Sequence, residues 1–303
     1  MNLPFITADE IRRTLSPVQA IKALEQRILT DPPLADRPNR TFIPVHAGEL
    51  LVMPDESQSA VGLKLLSIAR ANPSRALPAI QGVYVLMDAE TLTPRALLDA
   101  AELTCVRTSA VSMLAVTHLH PARHPNVVVI GSGPQALAHC RAATAVEPGS
   151  TAVLARNETL RERLIAQANN EQIEVITATG DSLESADVIL CCTTSREPVI
   201  GVSDVKPDVI IVAIGSHEPT ARELAADLFV DSFVVVESVD NARREAGDII
   251  LAEADLKRDV ISADLEQLLV SGPAPSTGRR IFKSVGDAWE DLTIAEAITN
   301  RLS

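Results

Sequence analysis

The segment that most restricts the fold runs from Asn126 to Ala142 and reads NVVVIGSGPQALAHCRA. An apolar run enters a turn with two glycines, and a helical pattern leaves it. Strand, glycine turn and helix in that order suit a pyrophosphate. One glycine makes the tight turn, the next admits the phosphates to the backbone, and a third small residue lets the helix pack on the strand. Gly131, Gly133 and Ala136 hold these places in a GxGxxA form. The amides and macrodipole of the helix N-terminus then favour negative charge. The turn residues Gly131, Ser132, Gly133, Pro134, Gln135 and Ala136 are therefore expected to hold a dinucleotide.

The rhythm after the turn agrees. STAVLAR, IEVIT, DVILCCTT, DVIIVAIGS and FVVVES read as strands, with NETLRERLIAQAN and DSLESA as helices among them. Alternation at βαβ spacing makes a parallel sheet covered on both faces, a Rossmann-type doubly wound α/β domain. Upstream the pattern changes. ITADEIRRTLSPVQAIKALEQRIL opens on a Thr7/Asp9 cap signal and is helical, with a break near Ser16-Pro17. Pro, Asp and Asn cluster from Asp31 to Asn39. RTFIPV, ELLVMP, AVGLKLLSIA and AIQGVYVLMD, followed by LTPRALL, read as a sheet with hairpin connections. LTCVRTSAVSMLAVTHL has helix composition, with a helix start at Thr108-Ser109. STGRRIFKSVGDAWEDLTIAEAITNRL closes the chain as a long helix. A second, α+β domain is expected beside the Rossmann domain.

A chain of 303 residues has room for both. Apolar residues make up 46% but aromatics only 2%, so the cores must be aliphatic, as in buried parallel sheets. A net charge of −13 argues against nonspecific nucleic-acid binding, which needs a basic face. No apolar run reaches the ~18 residues of a membrane span. MNLPFITADEIRR lacks the basic and apolar regions of a signal peptide, which points to the cytoplasm. Cys105, Cys140, Cys191 and Cys192 fit no zinc spacing and read as reduced core cysteines, so no metal is expected.

The end of the second Rossmann strand distinguishes the two nicotinamide cofactors. NAD sites carry an acid about 20 residues past the third small residue, to accept from the ribose 2′-OH. That position is Arg156, whose guanidinium cannot accept but can clamp a 2′-phosphate. Asn157 can bond the same group, Arg161 adds charge, and Glu158 is the dissenting residue. NADP(H) is favoured, with NAD(H) the alternative.

The substrate must be held elsewhere. Arg40 precedes TFIPV, Lys64 lies within GLKLLSI, and Arg107 follows LTCV. A lysine inside an apolar strand costs free energy unless it is paired or faces a cleft, and burial would lower its pKa toward the range of proton transfer. The competing reading is an edge-strand lysine that blocks aggregation. Arg40 and Arg107 read equally well as surface charges. Together the three would suit a carboxylate-bearing substrate.

RTFIPV, VMP, GLKLLS, PAIQGVYVLMDAET, LLDAAELTCVRTSAVSMLA, VVVIGSGPQA, AIGSHEPTARELAADLF and IFKSVGDAWEDL occur in this order, over nearly the whole chain. In this the chain resembles the ornithine cyclodeaminase/mu-crystallin family. The resemblance implies a homodimer of two-domain subunits. Residues 1–122 and 281–303 would bind substrate and dimerise, and residues 123–280 would bind the dinucleotide. It implies that Arg40, Lys64 and Arg107 surround the substrate carboxylate and the reacting carbon, with Met53 and Val83 lining the same cleft. Thr108 would lie near the cofactor phosphates, and Cys192, Thr193 and Thr194 would pass under the cofactor. Ala213, Ile214 and Gly215 would approach the nicotinamide, as would Val285 and Gly286. LARNE resembles the NADP-dependent members, whereas the cyclodeaminases carry aspartate there.

One departure bears on the reaction. Where the cyclodeaminases resembled here carry an aspartate, this chain has Gly215-Ser216-His217-Glu218, with His217 at the expected position. Histidine moves protons near neutral pH but cannot pair with a second ammonium. The expected activity is an NADP(H)-dependent reductase or dehydrogenase of imino or α-keto acids. The alternatives are a cyclodeaminase-like ammonia lyase with bound NAD, a non-catalytic NADPH-dependent ligand binder, and opine-type dehydrogenation. Lys64, Arg40, Arg107 and His217 are the expected catalytic residues.

Overall fold

The computed structural model describes residues 3–30, 40–270 and 274–302. The Asp31–Asn39 cluster lies outside them. The described residues divide into two compact units, one within Met1–Ala110 and Asp287–Ser303, the other Val111–Gly286.

In the first unit, Thr7 caps α1 (Ala8–Thr14) through a capping box with Glu10, and α2 follows (Pro17–Thr30). Its sheet comprises β1 (Phe5–Ile6), β2 (Thr41–Val45), β3 (Gly48–Glu56), β4 (Ala60–Ile68), β5 (Ile80–Asp88) and β6 (Pro94–Asp99). The order is β1-β6-β5-β4-β3-β2, antiparallel from β2 through β6, with β1 parallel to β6. Side chains alternate across β4 with period two. Ala60, Gly62, Lys64 and Leu66 lie on the buried face, and Leu65 on the exposed one. The buried face meets the C-terminal helix Ala288–Leu302, which also packs on α1 and α2. That helix is enclosed all round from Ala288 to Ala295, Glu290 and Asp291 included. Helix α3 (Ala100–His118) starts earlier than expected: Oδ1 of Asp99 accepts from Glu102 N at 2.8 Å and so caps it. Arg107 and Thr108 therefore lie inside a helix rather than at its start.

The second unit carries β7 (Asn126–Ile130), α4 (Pro134–Ala143), β8 (Ser150–Leu154), α5 (Glu158–Asn170), β9 (Ile176–Thr177), α6 (Ser182–Ser185) and β10 (Val188–Cys191). β11 (Ile210–Ala213), β12 (Phe233–Val236), α7 (Val239–Glu245), α8 (Gly247–Leu256), β13 (Ala263–Asp264), α9 (Leu265–Val270) and β14 (Arg280–Lys283) complete it. The sheet is parallel, ordered β13-β12-β14-β11-β10-β7-β8-β9. Its central strands are buried on both faces, as continuous aliphatic runs require. The order reverses between β7 and β10, the switch point beside which open parallel sheets bind ligands.

Two expected boundaries are corrected. Ile281–Lys283 belong to the parallel sheet, paired with β11 and β12, so the closing segment is a strand followed by a helix. Its charged ends disguise a strand that is buried throughout. Residues 111–122 belong with the second unit. Arg280 Nη1 donates to the carbonyls of Leu119 (2.8 Å) and His120 (3.1 Å), at the end of α3, and Nη2 to that of Asp208 (2.9 Å). No helix among the described residues is long and apolar enough to cross a membrane.

Candidate active site

In the first unit, Lys64 stands on the buried face of β4 with Met53 and Tyr84 directly opposite on β3 and β5. It is 1% exposed. Its Nζ donates to Asp291 Oδ2 at 2.6 Å and to Thr104 Oγ1 at 3.4 Å. From α3, Arg107 Nη1 donates to Glu290 Oε2 at 2.7 Å, and its Nε lies 3.4 Å from Asp291 Oδ1. Both acids occupy the first turn of the C-terminal helix, where the macrodipole favours negative charge. Arg40, half-buried just before β2, bears electrostatically on Lys64, as does Arg107.

Burial pulls the Lys64 ammonium down to about 8; Asp291 opposes this, and Arg107 and Arg40 reinforce it. Such a group is charged near neutral pH yet gives up its proton readily. The arrangement can hold an anion against cations and deliver a proton beside it.

The three expected cations and Met53 thus share one unit, and the lysine is no aggregation-blocking edge charge. Val83 is corrected. It pairs with Leu65, so the period-two alternation turns it to the opposite face from Lys64, and Tyr84 stands in its place. Glu290 and Asp291 were not anticipated. Adjacent acids at a helix start usually read as solvated; the available signal was their setting in AWEDLTIA, which leaves no polar face.

In the second unit, Gly131 has φ +137, and a Cβ there would lie 2.6 Å from the Cys192 carbonyl oxygen. Its lack of a side chain serves the close approach of the turn to the loop after β10. Gly133, the N-cap of α4, has nothing within 4 Å of the place its Cβ would occupy and contributes no side-chain cap. Open space at an uncapped helix N-terminus fits a dinucleotide phosphate. Pro134 stands at N1, and Ala136 is fully buried against the sheet. Behind the turn, His139 is buried and its pKa is lowered by burial to about 4. Its Nδ1 donates to the Gln135 carbonyl at 2.8 Å, and its Nε2 accepts from Ser112 Oγ at 2.9 Å. The neutral ring anchors the first turn of α4.

Arg156 is exposed just past β8. Asn157 caps α5, its Oδ1 accepting from Leu160 N at 3.0 Å, which leaves the amide NH2 for a ligand. Arg161 lies in the first turns of the same helix, half-buried.

Thr193 and Gly215 follow β10 and β11, and buried Glu223 binds both. Oε1 accepts from Thr193 N (2.7 Å) and Oγ1 (2.8 Å), and Oε2 from Gly215 N (2.7 Å). Cys192 is buried and Thr194 exposed on the same loop; Ala213 is buried at the end of β11, with Ile214 half-buried beyond it. The amides of Val285 and Gly286 donate to Glu237 Oε2 at 3.2 and 2.7 Å, and that of Gly286 also to Ser284 Oγ at 3.2 Å. His217 is exposed on the loop after β11. Glu223 and Glu237 were also missed, because their partners are distant in sequence. Among the described residues no cluster could hold a metal ion, and none of the four cysteines forms a disulfide.

Known proteins share this arrangement of elements. Ketimine reductase mu-crystallin of Rattus norvegicus is 32% identical over 307 residues, covering 97% of this chain and 96% of that protein. Delta(1)-pyrroline-2-carboxylate reductase 2 of Burkholderia ambifaria is 30% identical over 268 residues, 88% of this chain and 85% of its own. The structure of Thermococcus litoralis Delta(1)-pyrroline-2-carboxylate reductase in complex with NADH and L-proline aligns with a TM-score of 0.88 at 26% identity, over 99% of this chain and 97% of that one. The ornithine cyclodeaminase/mu-crystallin family pattern matches residues 4–303, and the chain belongs to that family.

Proposed function

We propose that this protein is an NAD(P)H-dependent reductase of cyclic imino acids. The observation that carries the reading is the Lys64–Asp291–Arg107–Glu290 cluster: a buried ammonium with a pKa of about 8, beside guanidinium groups suited to a carboxylate. The reaction class comes from the relatives, named as reductases of pyrroline-2-carboxylate and of ketimines.

Arg107 and Arg40 hold the substrate carboxylate, Met53 lines the pocket, and Lys64 Nζ gives its proton to the imine nitrogen. NAD(P)H, when bound, would supply hydride for C2 of the C=N bond. The Gly131–Ala136 turn would hold the phosphates. Thr193, Thr194, Ala213, Gly215, Val285 and Gly286 would hold the nicotinamide half. Arg156, Arg161 and the Asn157 amide select the 2′-phosphate of NADP(H). The exposed aliphatic face of the first sheet, with Ile43, Val45 and Leu65, supports a homodimer formed across it. Cysteines without disulfides suit the cytoplasm.

The test is oxidation of NADPH and NADH with five- and six-membered cyclic imino acids and with 2-oxo acids plus amine. Turnover on a cyclic imine, faster with NADPH, is expected. Ammonia release from ornithine without imine reduction would overturn the assignment in favour of a lyase.

A further inference from the structure

The second unit holds a charged network sealed from solvent that the reaction above does not use. Glu223, Asp248 and Lys283 are buried. Asp248, in the first turn of α8, accepts from the backbone N–H groups of Glu223 (2.7 Å) and Leu224 (2.9 Å) through Oδ1. Its Oδ2 pairs with Lys283 Nζ at 3.0 Å. Lys283, the last residue of β14, also donates to the Ser216 carbonyl at 2.6 Å. Asp248 thus orients the Glu223 backbone, and the Glu223 side chain grips Thr193 and Gly215. A Cβ on Gly215 would run into the Thr193 carbonyl and the Glu223 carboxylate, so only glycine lets the two loops close on that acid.

These attachments lie at the C-terminal ends of β10, β11 and β14, the side on which parallel sheets bind dinucleotides. Burying three charged groups is an inefficient way to stabilise a fold, because well-packed aliphatic residues would serve as well. What the network supplies is directional bonds that set one loop against another. Burial pushes the Glu223 carboxyl above the usual range, Lys283 opposes this, and Asp248 adds to it. Each of its three bonds to Thr193 and Gly215 nevertheless requires it as an acceptor, which the ionised form supplies.

We infer that Glu223 is a positioning residue for the nicotinamide half of the cofactor site, holding the loops after β10 and β11 in their binding arrangement before the cofactor arrives. This rests on the dinucleotide reading of the Gly131 turn. It predicts a division within one ligand: the adenosine half depends on the Gly131 and Arg156 segments, and the nicotinamide half on Glu223.

The experiment compares NADPH with 2′-phosphoadenosine diphosphoribose, the same molecule without its nicotinamide, by calorimetry on the full-length protein. Glu223→Gln keeps the shape but turns a donor toward an N–H. It should weaken NADPH about tenfold while the fragment binds as to wild type. Thr193→Val, which keeps the backbone bond, should show the same selective loss in smaller degree. Equal loss of both ligands with a lowered melting temperature would reduce Glu223 to a structural residue, and unchanged affinities would remove it from the site. Wild-type protein that binds neither ligand would instead sink the dinucleotide reading itself.

Discussion

The ammonium of Lys64 lies 2.6 Å from Oδ2 of Asp291, and neither side chain reaches solvent. The carboxylate is the main influence holding the lysine's proton, against burial and two guanidinium groups that act to release it. Asp291→Asn should therefore lower the Lys64 pKa further. The alkaline limb of kcat/KM for imine reduction should move down by about one unit or more. Superimposable profiles of variant and wild type would mean that Lys64 does not set that limb.

Removing the lysine separates chemistry from binding. Lys64→Met should lower kcat about a hundredfold or more, as loss of a general acid does. NADPH affinity should stay near wild type. An active variant would take Lys64 out of the mechanism.

The same lysine affects stability with a definite sign. Its pKa falls from 10.5 to about 8 on folding. Between those values the unfolded chain binds more protons, so the cost of the buried charge is present below about pH 8 and is relieved as pH rises through the window. Urea unfolding from pH 7 to 10.5 should show wild type gaining stability relative to Lys64→Met. A constant or falling difference would contradict the burial.

The two glycines of the turn should fail in different ways. Gly131→Ala forces a side chain into a left-handed conformation and onto the Cys192 carbonyl, so the fold itself should lose about 1–3 kcal/mol. Gly133→Ala meets open space at an ordinary φ of −90, so the melting temperature should hold while dinucleotide affinity drops. Equal melting losses in both variants would contradict this division.

Beyond β8, neighbouring residues should divide their effects likewise. Arg156→Ala should weaken NADPH much more than NADH, and equal losses would refute the 2′-phosphate assignment. Asn157→Ala removes the cap of α5 and should cost about 1 kcal/mol in unfolding.

Both sheets were legible in the sequence because their signals are local. Val127 to Ile130 followed by two glycines declares a strand and a tight turn into a helix within a few residues, and Lys64 between leucines declares a buried cation. The position of Arg156, just past β8, follows from counting along one βαβ unit. Local signals mislead where one pattern serves two kinds of element. Charges at both ends hide the strand Arg280–Lys283, and the start of the helix around Arg107 is set by the Asp99 cap, eight residues before the Arg-Thr-Ser stretch.

The sequence by itself determined the parallel sheet, the glycine turn and the cations, since backbone sterics and hydrophobic period act between near neighbours. Only the tertiary structure decided what those cations meet. Asp291 reaches Lys64 across 227 residues of chain, and Glu223 reaches Thr193 across 30. Such pairings depend on how strands stack and helices dock, which no local pattern encodes. The same packing sets the lysine's acidity, because a charge's free energy depends on the water it has lost and the partners it has gained.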